Sequence, residues 1–399
     1  MSEWPGFPLE ELVQDGQISY GVVQPGNDIG GGVPIVRVKD VRNGLVDESS
    51  PIRVAAEIAE KHGRTTLTGG ELLLSLVGTV GESAVAPKSL AGWNVARAIA
   101  VIRPTKVSSR WLQLCFESAP IRAEILGVLN TTVQSTLNLA DLKRLRIPVP
   151  PSEIRSGIEE VLGALDDKIA ANSNLAVTAD ALATAEFHKA VQDVSPSDQS
   201  FGDLATVSGG GTPSTKVLEY WDGDIPWATP TDVTPLQGPF LESTNRMISQ
   251  AGLSACASPL YPADSILMTS RATIGAFAIA QTPMAVNQGF IVVQPADPTL
   301  NFWVFHEMRS RVSEFISLAN GATFLELSRG NFKKLKVRLA EPKVMAEFGQ
   351  TAGRLHSVAK SALGENAVLA QTRDALLPQL MSGKLRVKDA EKVLEDAGV

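Results

Sequence analysis

The sequence predicts a mixed α/β (α+β) chain: two tandem, pseudo-repeated modules separated by two long antiparallel coiled-coil helices. Three observations predict it. The chain repeats itself once at an offset of about 190–194 residues. Each copy is followed by a helical heptad pattern. Within each copy, short apolar stretches such as VPIVRV and AIAVI lie among glycines, threonines and β-branched residues. A repeat this long is too large for a solenoid unit and indicates a duplicated domain. A duplicated module whose surface has diverged suits a molecule that holds two related things at a fixed distance.

The repeat is carried by named positions. GELLLSLVGTVGESAVA from Gly70 lies over DSILMTSRATIGAFAIA from Asp264. Leu72/Ile266, Leu73/Leu267, Thr79/Thr273, Val80/Ile274, Gly81/Gly275, Ala84/Ala278 and Val85/Ile279 superimpose. Upstream, Pro34, Asp40 and Val41 fall on Pro226, Asp232 and Val233. Downstream, LADLKRLRIPVP from Leu139 lies over RGNFKKLKVRLA from Arg329.

Module one occupies residues 1–150 and is expected to hold many short strands. Pro150-Pro151 ends it. The first spacer helix is expected over 151–193, where Ile158, Leu162, Leu165, Ile169, Asn172, Ala176, Ala179, Ala183 and Phe187 recur in steps of four and three. That spacing is a coiled-coil seam. Residues 194–200 are a polar linker, and module two occupies 201–340. A second seam, over 341–387, runs Phe348, Ala352, Leu355, Ala359, Ala362, Asn366, Leu369, Arg373 and Leu376; residues 388–399 form a tail. Alanines in both seams allow close approach, so an antiparallel pair is expected, each helix covering the other's stripe. The competing arrangement packs each helix on its own module. Asn172 and Asn366 are the asparagines of the two seams, and such residues can fix register.

Composition narrows the class. The chain has 399 residues and 44% hydrophobic content, ample for two or three domains. No apolar run approaches the ~18 residues of a membrane span. The acidic start MSEWPGFPLEEL carries no secretory pattern, so a cytoplasmic location is the expectation. Cys115 and Cys256 sit in different modules, which argues against a disulfide framework or zinc cluster. The net charge of −7 argues against a simple basic nucleic-acid binder, but its distribution matters. Residues 151–200 carry 3 basic and 9 acidic side chains; residues 1–150 carry 15 of each, and 201–340 carry 10 and 11. Nearly all the excess acid therefore lies in one helical segment, and the modules are near neutral.

Catalysis finds little support. GGGTPST at 209–215 lacks the Gly-Lys-Ser/Thr ending of a phosphate loop, and no dinucleotide fingerprint occurs. His62, His188, His306 and His356 have no metal-ligand spacing; His188 and His306 read as surface or packing residues. The Asn/Asp-Pro-Pro-aromatic tetrapeptide of amino-methyltransferases is missing, as is any Ser/Thr triad. No catalytic residue and no metal ligand is expected in the chain.

What remains points to nucleic-acid recognition. LKRLRIPV from Leu142 is expected as a strand alternating Leu145, Ile147 and Val149 with Arg144 and Arg146. FKKLKVRL from Phe332 alternates Leu335, Val337 and Leu339 with Lys334, Lys336 and Arg338. Each module thus carries a short basic stripe, suited to phosphates or simply a solvated face. Base reading needs paired donors and acceptors: arginine for guanine, asparagine or glutamine for adenine. Candidates lie where the frame is kept and the sequence differs. In module one they are Arg37, Lys39, Arg42, Arg97 and the loop Asn130-Thr131-Thr132-Val133-Gln134. In module two they are Thr212, Ser214, Lys216, Trp227, Thr229, Thr231, Ser270, Arg271, Asn287, Gln288 and the loop 320–324 with Thr323. Trp227 and Pro226 suit a core equally well, and Asp40 and Asp232 suit a cap or turn.

On these residues the chain resembles the DNA-specificity subunit of type I restriction-modification systems. A module, a basic strand and a proline-rich lead into a long helix occur twice. FGDLATVSGGGTPSTKVLEYWDGDIPWATPTDV from Phe201, LADLKRLRIPVPPSEIRSGIEEVLGALDDKI from Leu139 and LLPQLMSGKLRV from Leu376 carry the likeness, which covers roughly Leu9–Val387. The opening of module one, DGQISYGVVQPGNDIGGGVPIVRV, is of another subtype and lacks the Gly-Thr-Pro-Ser element. The resemblance implies two target-recognition domains, each reading half of an asymmetric, bipartite site in double-stranded DNA. It implies helices that set the unread gap, two methyltransferase subunits docked on this chain, and two motor-nuclease subunits joining for restriction. S-adenosylmethionine (AdoMet), ATP and magnesium (Mg) would then belong to the partners. The acidic helix suits protein better than phosphate. A methylation-only or other phage-defence assembly, a diverged enzyme fragment and a protein scaffold without DNA contact are the alternatives.

Overall fold

The computed structural model describes residues 4–42, 44–129, 135–321 and 325–397. The chain divides into two compact units, Met1–Lys168 with Leu369–Val399, and Ile169–Val368. Each long helix contributes one portion to each unit.

Unit 1 is built on a four-stranded antiparallel sheet in the order Val13–Tyr20, Ile99–Pro104, Leu72–Ser75, Ser83–Val85. Leu72–Ser75 and the start of Ile99–Pro104 are buried on both faces, which is why their apolar runs do not alternate. A three-stranded sheet places Val33–Val36 between antiparallel Ile52–Val54 and parallel Asn94–Val95. Gly6–Pro8 pairs with Arg146–Pro148. The core gathers Val36, Val41, Leu73, Leu90, Val95 and Val101. Trp111, fully buried on the helix Ser109–Glu117, donates its indole N–H to the Pro148 carbonyl at 2.8 Å.

Unit 2 repeats this frame. Its main sheet runs Ala205–Gly209, Phe290–Pro295, Ile266–Thr269, Phe277–Ala280, with Phe240–Leu241 added at the edge. Trp221–Ala228 lies between antiparallel Met247–Ile248 and parallel Ala285–Val286. Pro196–Ser200 pairs with Lys336–Arg338. Trp303 donates to the Arg338 carbonyl at 2.8 Å, matching Trp111 bond for bond. Phe201 and Phe332 stack at 4.5 Å in the core.

Both expected basic strands are shorter than their sequence suggests. LKRLRIPV is not a continuous strand: Leu139–Arg144 is helix and only Arg146–Pro148 is strand. Likewise Arg329–Lys333 is helix and Lys336–Arg338 is strand. The cause is capping. Asn138 and Ser328 accept hydrogen bonds from the amides of Asp141 and Asn331, which starts a helical turn at both places.

The long helices span Ser152–Ala190 and Pro342–Met381. In unit 2 rising residue numbers on the first meet falling numbers on the second. Asn366 donates to the Ile169 carbonyl at 3.1 Å, Asn172 donates to Glu365 at 2.7 Å, and the Phe187 and Phe348 rings meet at 5.3 Å. The two portions are therefore antiparallel. Ala176, Ala179 and Ala359 are buried together, the close approach that small residues permit. The helices also pack on the module, because Phe187 and Phe348 both touch Trp303. In unit 1 the seam positions Ile158, Leu162, Leu165, Leu369 and Leu376 are buried, and Asp166 accepts from both Arg110 and Arg373. In unit 2 Phe348 is buried, while Ile169 and Leu355 are half-buried. The terminal helix Val387–Ala397 presses Val387 against Gly157, where a Cβ would meet Val387 Cγ1 at 2.8 Å.

Candidate nucleic-acid interface

In each unit the first main-sheet strand ends where a parallel strand crosses it, and only glycine fits there. At Gly21 a Cβ would sit 1.8 Å from the Val95 carbonyl oxygen; at Gly210 it would sit 1.8 Å from that of Val286. The following amides, of Val22 and Gly211, donate to those same carbonyls at 2.8 and 3.1 Å. This crossing carries Arg97 in unit 1 and Thr212, Asn287 and Gln288 in unit 2.

In unit 2 the crossing opens into a cleft of about 300 Å³ lined by Gly209, Gly210, Ser270, Arg271, Gln288, Phe290, Glu326 and Arg329, among others. Thr212 donates to the Gln288 side-chain oxygen at 2.5 Å. Arg271 pairs through Nε with Glu326 at 2.9 Å, and the two residues form a backbone bridge. Arg329 lies against Gly209, with Cδ and Nη1 3.2 Å from where a Cβ would be. Tyr261 donates to the Gly209 carbonyl at 2.6 Å, and Trp227 donates to that of Gly211 at 3.0 Å. Trp227 is thus a buried brace of the loop.

The neighbouring loop is held by a capping box. Thr229 donates through its amide and hydroxyl to Asp232, at 2.8 and 2.6 Å, and its hydroxyl also meets that of Thr231. Asn287 uses its side-chain oxygen to accept from the Gly289 amide. Ser214 and Lys216 are exposed, and the Ser214 carbonyl accepts from Trp221 at 3.2 Å. Lys334 ends its helix, exposed, and Lys336 donates to the Asp198 carbonyl.

Unit 1 uses the same frame with other side chains. Arg37 occupies the capping-box position of Thr229 and gives its guanidinium to Asp40, at 2.8 and 2.9 Å, and to the Ser50 carbonyl at 2.6 Å. Lys39, Arg42, Arg97 and Arg144 are exposed. Arg146, the counterpart of Lys336, donates to the Gly6 carbonyl at 2.5 Å. Thr131, Thr132, Gln134 and Thr323 lie outside the described residues, as do Asn130 and Val133.

Sequence reasoning missed three participants. Glu326 and Arg329 join the cleft from segments more than 50 residues downstream of Arg271. Arg246 lies over Trp221 at 3.6 Å from the ring centroid. Each lacked any local signal because its partner is remote in sequence. His306 and His356 are fully buried, with Nε2 atoms sharing a hydrogen bond at 2.9 Å. Phe187 stacks on His306 and Phe302 on His356. Burial, reinforced at His306 by its neighbour, pushes the two imidazoles down to about 3 and about 4. Among the described residues no helix is long and apolar enough to cross a membrane.

This geometry is a duplicated frame, and sequence similarity places it in a family. The model of the type I restriction modification DNA specificity domain matches twice, at residues 17–178 and 198–348. The chain therefore belongs to that family. It is 31% identical over 42% of its length to the specificity subunit of the type I restriction enzyme MjaIX of Methanocaldococcus jannaschii, of which 39% is covered. It is 30% identical over 38% of its length to the EcoBI specificity subunit of Escherichia coli, with 32% of that protein covered. The alignments thus span about a third to two-fifths of these relatives' own length. The fold is also that of the crystal structure of a type I restriction-modification S subunit from M. genitalium. The two match at a TM-score of 0.55 and 13% identity, over 95% of this chain and 96% of that one.

Proposed function

We propose that the chain is the non-catalytic, sequence-specific DNA-binding subunit of a type I restriction-modification complex. Each unit reads one half of a bipartite, asymmetric site. The helix pair sets the unread gap between the halves. Two methyltransferase subunits and two motor-nuclease subunits dock on the chain, and these partners bring AdoMet, ATP and Mg. The complex works in the cytoplasm.

One observation carries the reading. The two units share three sheets of common strand order, the same glycine crossing and the same tryptophan brace, yet carry different polar side chains around the crossing. A frame conserved between copies with a divergent rim is what two different half-sites require, since phosphate contacts position DNA while base-edge contacts specify it.

The test is a modified-base map of DNA from cells carrying the cognate methyltransferase with and without this chain. A split motif that appears only with the chain is the expected result. No chain-dependent motif, with the methyltransferase shown to be folded and bound, contradicts it. Inserting one heptad into both long helices should lengthen the gap and leave the half-site sequences unchanged; an altered half-site at the same gap would refute the spacer.

A further inference from the structure

We infer that Arg271, braced by Glu326, is the guanine-reading side chain of unit 2; this rests on the DNA-recognition reading above and deepens it. Three features of the cleft point there. Glu326 lies 2.9 Å from the Nε of Arg271 as an ion pair, and among the described residues the guanidinium's terminal nitrogens donate no hydrogen bond. Those nitrogens form the edge that meets guanine O6 and N7 in a bidentate pair. The brace also makes the pair neutral overall. A neutral pair gains little from a phosphate, whereas its fixed pair of donors still matches a base edge.

The backbone holds this fork in place. Arg271 and Glu326 form a β-bridge, flanked by hydrogen bonds from Leu327 to Ser270 at 3.0 Å and from Ala272 to Leu325 at 3.2 Å. Ala272, immediately after the arginine, adopts a left-handed φ of +58°. Such strain in a non-glycine residue gathers at functional sites. Both side chains of the pair are about two-fifths exposed, so the fork is reachable.

Unit 1 supplies the contrast. The bridge equivalent to Arg271–Glu326 is Val77–Thr136, which has no guanidinium and no carboxylate. The guanine contact therefore belongs to one half-site only. Glu326 is a positioning residue: it touches no base and acts by orienting the fork.

The experiment is the modified-base map, made with the full complex carrying wild-type chain, Arg271→Ala, Arg271→Lys or Glu326→Gln, each checked for an unchanged melting temperature. Wild type must first give a chain-dependent split motif; if it does not, the DNA-recognition reading fails and this inference with it. Given that motif, Arg271→Ala should relax one G·C position in one half-site, with about 5- to 150-fold loss of discrimination there, and leave the other half unchanged. Arg271→Lys should relax the same position, because lysine keeps the charge and loses the fork. Glu326→Gln should relax it partly. An unaltered motif with Arg271→Ala overturns the inference while the broader reading stands. Uniformly weaker methylation across all sites, with no position relaxed, marks a phosphate contact and overturns it too.

Discussion

At the crossing, Val22 of unit 1 and Gly211 of unit 2 donate to equivalent carbonyls, those of Val95 and Val286. Around that shared point the side chains part. Topologically equivalent places hold Tyr20 and Gly209, Arg37 and Thr229, Val77 and Arg271, Arg97 and Gln288, Thr136 and Glu326. Buried positions behave differently: Leu72 and Ile266, Leu73 and Leu267, and Trp111 and Trp303 keep their character. Packing holds these positions to one solution, because a close-packed core tolerates little change in shape. The rim meets no such demand and is free to diverge.

If the two frames are equivalent, the glycine crossing should be equally indispensable in both. Gly21→Ala and Gly210→Ala each drive a Cβ to within 1.8 Å of a carbonyl oxygen that is fixed by its own strand. Each should cost about 3 kcal/mol or more, at the upper end of what overpacking does. Thermal unfolding of the full chain measures it. Tolerance of one alanine and not the other would break the equivalence.

Acid should separate the units next. At the places of His306 and His356, unit 1 has Leu114 and Asp166, the latter bound by Arg110 and Arg373. Unfolded imidazoles titrate near 6.5; in the folded chain burial holds the pair at about 3 and about 4. Arg309 opposes protonation of both, and Asp180 favours it. The folded values are the lower ones, so the unfolded state binds more protons. The pair's stabilisation is full above pH ~6.5 and is lost as pH falls towards 4. Both imidazoles contribute to that loss. Amide hydrogen exchange between pH 7 and 4 should show unit 2 losing protection before unit 1, and His306→Leu should reduce the difference. Parallel loss in both units would contradict this.

How far the sequence revealed this follows from how local each signal was. The heptads were legible because burial on a helix repeats every three or four residues. Ile158, Leu162 and Leu165 are buried at that spacing. Asp40 and Asp232 as caps were legible because a capping box closes over three residues. The helix at Leu139–Arg144 was not, because Leu139, Leu142 and Leu145 fit a helical period and the alternation downstream fits a strand. Only Asn138 and Ser328, as caps, decide it. The candidate site was legible as a list of residue types and not as an arrangement. Arg271 with Glu326, Arg246 with Trp221 and His306 with His356 are each brought together by tertiary folding, and no spacing rule links them.

The smallest expected effect tests whether the divergent rim carries strain for a purpose. Gly78 and Ala272 occupy equivalent turns of the two units, at φ of +81° and +58°. Left-handed backbone costs an alanine about 1–2 kcal/mol that a glycine does not bear. A glycine in turn lowers stability by about 0.4–1 kcal/mol through its freer unfolded chain. Ala272→Gly should therefore stabilise unit 2 by a net of roughly 0.5–1 kcal/mol, read as a small rise in the denaturant midpoint. Gly78→Ala should destabilise unit 1 by a similar amount. If the alanine serves only as a tolerated turn residue, Ala272→Gly will leave methylation specificity untouched. If its rigidity holds the Arg271 fork, the more stable variant will read its half-site less faithfully, a gain in stability set against a loss in discrimination that the glycine turn of unit 1 never faces.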